Sequence, residues 1–193
     1  LEGQNVRSVE LTEAEQKLDK ELFMLTRKPV IYVCNVDEKS IKTGNKYVDA
    51  VKEKVKDEGA QVLVIAAQTE SEIAELETYE ERKMFLDDLG LEESGVAKLI
   101  RAAYSILNLR TFFTVGPKEV RAWTFHAGDK APQAAGVIHT DFEKGFIRAE
   151  VIKYDDYVSL KSEAACREAG KLGIEGKDYE VQDGDIMHFR FNV

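Results

Sequence analysis

The chain has 193 residues, of which 44% are hydrophobic, and its formal net charge is −9. This length allows one domain or two small ones, and the hydrophobic content excludes a disordered chain. The acidic balance argues against DNA and against broad non-specific nucleic-acid binding, although a local basic patch could still bind RNA. No apolar run approaches the ~18 residues of a membrane span. The absence of a signal peptide and of metal-type cysteine spacing favours a reduced, cytoplasmic protein.

The first predicted element is a helix that starts near Thr12. Thr12 and Glu15 form a capping-box pattern, in which the hydroxyl accepts from a first-turn amide while the carboxylate reaches back to the cap. Pro29 lies beyond the end of this helix, because proline disfavours helix in the residue before it. Three leucines at helical spacing share one face: Leu18, Leu22 and Leu25.

Two nearly continuous apolar runs follow, residues 29–34 (PVIYVC) and 61–67 (QVLVIAA). Such runs are typical of parallel strands that are covered on both faces. Residues 45–58 between them have helical periodicity, so the order predicts a βαβ unit. Two strands are too few for a stand-alone sheet, and further strands are expected from a part that is absent from this chain. Three more helices are predicted after the second strand, over residues 70–76, 80–89 and 94–107.

The last part of the chain, after a boundary near Asn108, predicts a small α+β domain. A polar turn over residues 140–145 leads into a strand over residues 146–152, in which Ile147, Ala149 and Val151 share one face. Its expected partner strands occupy residues 119–125 and 185–192, and one short helix is expected over residues 162–169.

Polar residues follow both predicted parallel strands. Asn35-Val36-Asp37-Glu38 comes after the first strand, and Ala66-Ala67-Gln68 comes at the end of the second. The carboxyl ends of parallel strands are where open α/β sheets bind ligands, and an amide with a nearby carboxylate can read a purine edge. The alternative is that Asn35 and Glu38 only form a turn and a helix cap, because N-x-x-E is a weak pattern. The sequence contains no G-x-x-x-x-G-K-[ST] loop to hold phosphates.

Basic and aromatic residues alternate along the strands of the last domain. Arg121, Arg148 and Arg190 are therefore candidates for one RNA-binding face, and a plain half-solvated face is the alternative. No catalytic residue and no metal ligand is predicted: the three histidines accompany no nucleophile signature, and His139 is expected to be a turn residue.

Long blocks of the sequence resemble one known family. Three successive segments, RTFFTVGPKEVRAWTF, APQAAGVIHTDFEKGFIRAEVI and GKDYEVQDGDIMHFRFNV, resemble the C-terminal TGS domain of the YchF family of Obg-related P-loop nucleoside triphosphatases. The upstream segments KPVIYVCNVDE and VLVIAAQTESEIAEL resemble the two base-recognition loops of that family. The resemblance implies α/β plus α+β folds: the end of a helical insertion (1–27), the later half of a P-loop G domain (28–108) and a β-grasp TGS domain (109–193).

The resemblance also implies a nucleotide site and partners. Asn35 and Glu38 would shape the base pocket, Val36 would offer backbone groups, and Ala66, Ala67 and Gln68 would close it. N-x-x-E in place of N-K-x-D goes with acceptance of adenine, so the intact protein would use ATP or GTP with Mg²⁺. The family's phosphate-binding loop and switches are absent here, so this chain alone is expected to bind no cofactor and to be inactive without its missing N-terminal half. The family also implies ribosome or RNA association; the alternative is a non-enzymatic TGS adaptor that binds a protein.

Overall fold

The computed structural model describes residues 5–192 and divides the chain into two compact units, Leu1–Leu107 and Asn108–Val193. The predicted fold class, α/β followed by α+β, is confirmed. No helix within the described residues is long and apolar enough to cross a bilayer. The α-helices of the first unit are α1 (Glu13–Leu22), α2 (Lys46–Val55), α3 (Ala67–Glu75), α4 (Tyr79–Asp88) and α5 (Gly95–Ile106).

Helix α1 begins at the predicted capping box, since Thr12 and Glu15 make both reciprocal hydrogen bonds. It ends at Leu22, where Phe23 adopts left-handed backbone angles. Leu25 therefore lies outside the helix, in a separate short turn. The leucine face has no cover within the described chain, because Leu18 and Leu22 are 63% and 64% exposed.

The first unit contains two parallel strands, β1 (Ile31–Asn35) and β2 (Gln61–Ile65), joined through α2. The predicted βαβ order is thereby confirmed. No further strand among residues 5–192 pairs with either of them, so this sheet has two open edges. The prediction that both faces are covered is wrong for this chain, since Val33 in the middle of β1 is 42% exposed.

The second unit contains a five-stranded mixed sheet in the order β4-β3-β7-β5-β6. The strands are β3 (Leu109–Val115), β4 (Val120–His126), β5 (Phe146–Ile152), β6 (Leu172–Glu175) and β7 (Ile186–Phe191). The helices are α6 (Ala131–Ile138), α7 (Thr140–Lys144), α8 (Tyr154–Leu160) and α9 (Glu163–Glu168). Of these elements, the sequence predicted only three strands, β4, β5 and β7, and one helix, α9. The predicted polar turn is helix α7, capped by His139.

Strand β5 departs from simple alternation. Its register against β7 shifts between Phe146 and Arg148, which places one extra residue in β5. Ile147 is that residue, and it is 55% exposed. Phe146 instead joins Ala149 and Val151 in the core. The predicted common face of Ile147, Ala149 and Val151 is therefore wrong for Ile147.

The two faces of the five-stranded sheet bury different clusters. The main-core face carries Phe112, Phe125, Met187 and Phe189, which pack with the alanines of α6. The opposite face carries a smaller cluster around Ile152 and Ile186, to which α9 contributes the buried Cys166. Because side chains alternate along a strand, neighbouring residues of β5 or β7 belong to different faces.

Candidate functional sites

The loops that follow β1 and β2 lie side by side. Asn35 and Ile65 are register partners at the carboxyl ends of the two strands. The Asn35 Oδ1 atom accepts a hydrogen bond of 2.9 Å from the amide of Ala67, the first residue of α3. The Val36 amide donates to the Ile65 carbonyl at 2.9 Å. Two loops that are 32 residues apart in sequence are thus joined at one edge of the sheet.

The remaining residues of the predicted base site surround this junction. Ala66 is buried, whereas Ala67 and Gln68 are exposed at the start of α3, where the Gln68 side chain donates to Glu72 at 3.2 Å. The short turn after β1 is capped by Asp37, whose carboxylate accepts from the Ser40 amide at 3.0 Å. Glu38, the first residue of that turn, is exposed. The capping role considered for Asn35 and Glu38 is therefore performed by Asp37.

Glu70 is a positioning residue that the sequence did not reveal. Its two carboxylate oxygens accept from the amides of Gly95 and Val96, at 2.6 and 3.0 Å, at the start of α5. A Cβ at Gly95 would lie 2.7 Å from Ile65 Cγ2 and 2.8 Å from Glu70 Oε1, so a larger residue there would displace these side chains. This contact fixes α3 and α5 beside the end of β2. A glutamate in a first helical turn carries no sequence signal for such a distant partner.

Two of the three predicted RNA-contact arginines are neighbours. Arg148 on β5 and Arg190 on β7 are register partners on the opposite face, next to Glu150. Arg190 donates to both Glu150 oxygens, at 3.2 and 3.3 Å, while Arg148 lies 4.0 Å and Arg167 of α9 lies 3.6 Å from this carboxylate. We call Arg148, Arg167 and Arg190 the arginine cluster. Hydrogen bonding from Arg190 is the main cause that lowers the pKa of Glu150; burial opposes it, and the charges of Arg190, His188 and Arg167 add to it.

Arg121 does not belong to this cluster. Its guanidinium lies 4.0 Å from the ring centroid of Trp123, which is two residues further along β4 and packs against the main core. Arg121 therefore lies on the main-core face. The prediction of a single face that carries Arg121, Arg148 and Arg190 is wrong in this respect. The pairing of β3 with β4 determines the face on which Arg121 lies. Arg121 is the register partner of Thr114, which lies on the same face as Phe112.

The histidines and cysteines have local roles. His139 Nδ1 accepts from the Asp141 amide at 3.2 Å, which confirms the expected local hydrogen bond. Cys34 is partly buried and Cys166 is buried, and both are free thiols. Within residues 5–192, no group of three or more histidine, cysteine, aspartate or glutamate side chains is placed to hold a metal ion.

The chain is similar to known proteins in sequence and in fold. Residues 109–192 match the family model YchF-GTPase_C, described as "Protein of unknown function (DUF933)". The chain is 55% identical over 189 residues to the ribosome-binding ATPase YchF of Bacillus subtilis, covering 97% of this chain and 51% of that protein. It is 48% identical over 179 residues to Obg-like ATPase 1 of Pongo abelii, covering 91% of this chain and 44% of that protein. The structure of the Schizosaccharomyces pombe YchF GTPase superposes with a TM-score of 0.85 at 38% identity, over 97% of this chain and 50% of that one.

The fold is that of an α/β unit with two parallel strands, followed by a small mixed-sheet unit. The chain belongs to the YchF family. It spans about half the length of the curated relatives it matches.

Proposed function

We propose that this chain supplies the base-reading half of the nucleotide site of a YchF-type ATPase or GTPase. In this assignment residues 1–27 end a helical insertion, residues 28–108 are the later half of a P-loop G domain, and residues 109–193 are a β-grasp TGS domain. The observation that carries the proposal is the hydrogen bond from the Ala67 amide to Asn35 Oδ1, which joins the two predicted base loops at the carboxyl ends of parallel strands.

The hydrogen bonds already made define what each group can offer a base. The Asn35 oxygen is held by Ala67, so its NH₂ group is oriented to donate to a purine acceptor. The Val36 amide is engaged with Ile65, which leaves the Val36 carbonyl as an acceptor for an exocyclic amino group. The small side chains of Ala66 and Ala67, with Gln68, would close the pocket around a planar ring. Glu38 stands where the N-K-x-D pattern has its aspartate, an exchange that favours adenine over guanine.

The phosphate end of the site requires a second polypeptide segment. The sequence has no phosphate-binding loop, so Mg²⁺ and the triphosphate of ATP or GTP would be held by the missing N-terminal half. When bound, the Mg²⁺ would neutralise charge on the phosphates during transfer. The open edges of the β1–β2 sheet and the exposed Val33 fit completion by strands from that half. The chain alone is accordingly proposed to be inactive and to need no cofactor.

Reconstitution tests this proposal. The chain is co-expressed with the N-terminal half of the Bacillus subtilis relative, and the affinity for fluorescent ATP and GTP analogues is measured. Asn35→Ala should weaken base binding about tenfold, because one hydrogen bond to the base and the loop junction are lost. Lys39→Ala, on the exposed turn after β1, is the control and should bind as wild type does. Unchanged affinity in Asn35→Ala, or turnover by the chain alone, would contradict the proposal.

We further propose that the second unit contacts the ribosome or its RNA in the cytoplasm. The support is that relatives are named ribosome-binding ATPases and that an arginine cluster lies on one sheet face. Arg148 and Arg190 remain the candidate contacts, and Arg121 would act from the other face. The alternative is an adaptor that binds a protein, which exposed apolar residues such as Val120 and Ile174 favour. Co-sedimentation with ribosomes at two salt concentrations separates them: binding that falls steeply with salt indicates RNA, and indifference to salt indicates a protein.

A further inference from the structure

The second unit contains a cavity at the place where two strands of its sheet part. Strands β3 and β7 share a single register pair, Phe113 with Ile186, whereas β3 pairs with β4 along its whole length. Beyond that pair, β3 continues to Val115 and β7 to Phe191, and no further residues of the two strands are register partners. A cavity of about 510 Å³ opens there. This volume lies within the ~300–1,000 Å³ that is typical of small-molecule sites.

The walls of this cavity are mostly apolar and aromatic. Strands β4 and β7 and helices α6 and α7 supply the large side chains: Trp123, Ile138, Phe142, Met187, Phe189 and Phe191. The indole Nε1 of Trp123 donates to Thr114 Oγ1 at 2.9 Å, and the Arg121 guanidinium lies 4.0 Å from the ring centroid. The rings of Phe142 and Phe191 stack with their centroids 3.8 Å apart. Walls fixed by such contacts are formed before a ligand arrives, and a flat aromatic ring packs well against them.

The mouth of the cavity carries one positive and one negative residue. Lys118 and Glu119 are consecutive in the exposed turn between β3 and β4, and both line the cavity. The backbone of this turn is closed by the Gly116 amide, which donates to the Glu119 carbonyl at 2.9 Å. Within residues 5–192, neither charged side chain takes part in a hydrogen bond or an ion pair. Two available opposite charges beside an aromatic cavity complement a ligand that has a carboxylate and an ammonium group close to a ring.

We propose that this cavity binds a free α-amino acid with an aromatic side chain. The ring occupies the space between Trp123 and the stacked Phe142 and Phe191. The ligand carboxylate pairs with the Lys118 ammonium, and the ligand ammonium pairs with the Glu119 carboxylate. A free amino acid fits better than a residue inside a polypeptide, because only the free molecule carries both charges on its Cα atom. All the lining residues belong to the second unit, so this site does not depend on the proposed nucleotide site or on ribosome binding.

The first test is a titration of the purified chain with L-phenylalanine. The chain has one tryptophan, Trp123, and of its three methionines only Met187 lines the cavity. Phenylalanine should change the Trp123 fluorescence and shift the methyl NMR signal of Met187, while the signals of Met24 and Met84 stay in place. The dissociation constant should be about 0.1–1 mM, the range expected for about a dozen ligand atoms. An unshifted Met187 signal in saturated phenylalanine would overturn the proposal.

The second test assigns the two charges with ligand analogues. Phenylpropionate lacks the ammonium group of phenylalanine, and phenylethylamine lacks its carboxylate. Lys118→Ala should weaken the binding of phenylalanine and phenylpropionate about threefold to fivefold and leave phenylethylamine unchanged. Glu119→Gln should weaken phenylalanine and phenylethylamine by a similar factor and should not weaken phenylpropionate. An equal response of all three ligands to either variant would overturn the assigned contacts.

Two matched variants control for general charge effects. Lys177→Ala and Glu168→Gln make the same charge changes on exposed residues of the second unit that do not line the cavity. Both should bind phenylalanine as the wild-type chain does. A loss of affinity in these controls that equals the loss in Lys118→Ala and Glu119→Gln would show diffuse attraction and overturn the site. Thermal unfolding of each variant confirms that the second unit is folded.

Two further ligands distinguish a free amino acid from a side chain of another protein. N-acetylphenylalanine amide carries the ring without either charge, as a residue inside a polypeptide does. It should bind about tenfold more weakly than phenylalanine, because both ion pairs are lost. Equal or tighter binding would make the cavity a docking pocket for protein side chains and overturn the proposal. L-Leucine keeps both charges without a ring and should bind more weakly than phenylalanine; tighter binding would overturn the choice of an aromatic ligand.

Discussion

The two units of this chain bury their apolar residues to different extents. The second unit closes a main core around Phe112, Phe125 and Phe189, with further residues buried on the opposite sheet face. The first unit has single buried residues such as Val48 and Ile73, and none of them belongs to either core cluster. It also exposes large apolar side chains along α1 and β1: Leu18, Leu22, Phe23 and Val33.

This difference agrees with the proposed assignment of the second unit to a domain of its own and of the first unit to a part of a larger domain. A parallel pair of strands needs further strands and helices on both faces before it is stable by itself. The second unit has five strands with helices against both faces, and its core lies within its own sequence. The first unit has only two strands, and its exposed apolar surface fits the proposal that further parts of an α/β domain cover it. We therefore expect core substitutions to act differently in the two units.

The largest effect is expected from Asp185→Ala in the second unit. Asp185 is fully buried and accepts from Lys153 Nζ and Tyr179 OH, both at 2.6 Å, and from the Gln182 amide at 2.9 Å. Its removal leaves a partly buried ammonium and a hydroxyl without their partner, so the free energy of unfolding should fall by about 3–5 kcal/mol. Urea unfolding followed by Trp123, the only tryptophan of the chain, measures it.

Asp178→Ala is the matched control for this prediction. Asp178 also pairs with a lysine, Lys130 at 2.8 Å, but its side chain is 95% exposed. Solvent screening makes such a pair nearly neutral for stability, so the urea midpoint should not move measurably. A midpoint in Asp185→Ala that equals the control would show that the buried network contributes nothing.

Local patterns predicted much of this fold, and long-range pairing decided the rest. The capping box at Thr12 and the apolar runs of β1 and β2 depend on neighbouring residues, and they were visible in the sequence. Helix α6 buries Ala131, Ala134 and Ala135, but its exposed side carries the apolar Val137, so the two sides of the helix differ little in hydrophobicity. Strand β6 has only four residues and contains Gly173 at the sheet edge, which leaves little pattern to detect.

The same distinction between local pattern and long-range pairing applies to the residues of the candidate sites. The base loops follow two apolar runs directly, so the sequence located Asn35 and Ala67 before their hydrogen bond was seen. The side of the sheet on which an arginine lies depends on strand register and on the extra residue in β5, neither of which a single segment encodes. Arg167 approaches Glu150 from a helix 17 residues away in sequence, and no pattern links the two.

A matched pair of valine substitutions sharpens the contrast between the units. Val181 in the main core is 0% exposed, and Val48 on α2 is 2% exposed. Val181→Ala should lower the opening free energy of the second unit by about 2 kcal/mol, because two methyl groups and their contacts are lost from a closed core. Val48→Ala should cost less than half as much, since an open sheet relaxes around the smaller side chain. Amide hydrogen exchange reports both units in one sample. Equal costs would mean that the first unit is as closed as the second.

The smallest expected effect concerns acid stability and distinguishes Glu150 from surface carboxylates. The pKa of Glu150 is lowered, mainly by hydrogen bonds from Arg190, with Arg148, Arg167 and His188 also facing it. A carboxylate whose pKa is lower in the folded state adds stability above its unfolded pKa of about 4.3, and this stability is lost as the pH falls through the folded pKa. Glu150→Gln should therefore be about 1 kcal/mol less stable than wild type at pH 7, and this gap should close progressively as the pH falls below about 5 and through the lowered pKa of Glu150.

Thermal unfolding across this pH range measures the gap, and Glu163→Gln is the control. Glu163 contacts Arg167 in the same cluster, but its side chain is 50% exposed, against 9% for Glu150. Its removal should leave the pH profile parallel to that of wild type, because an exposed pair is screened by water. If Glu150→Gln also gave a parallel profile, the arginines would not stabilise this carboxylate in the folded chain. Glu150 could then not be the group that orients the three guanidinium groups around it.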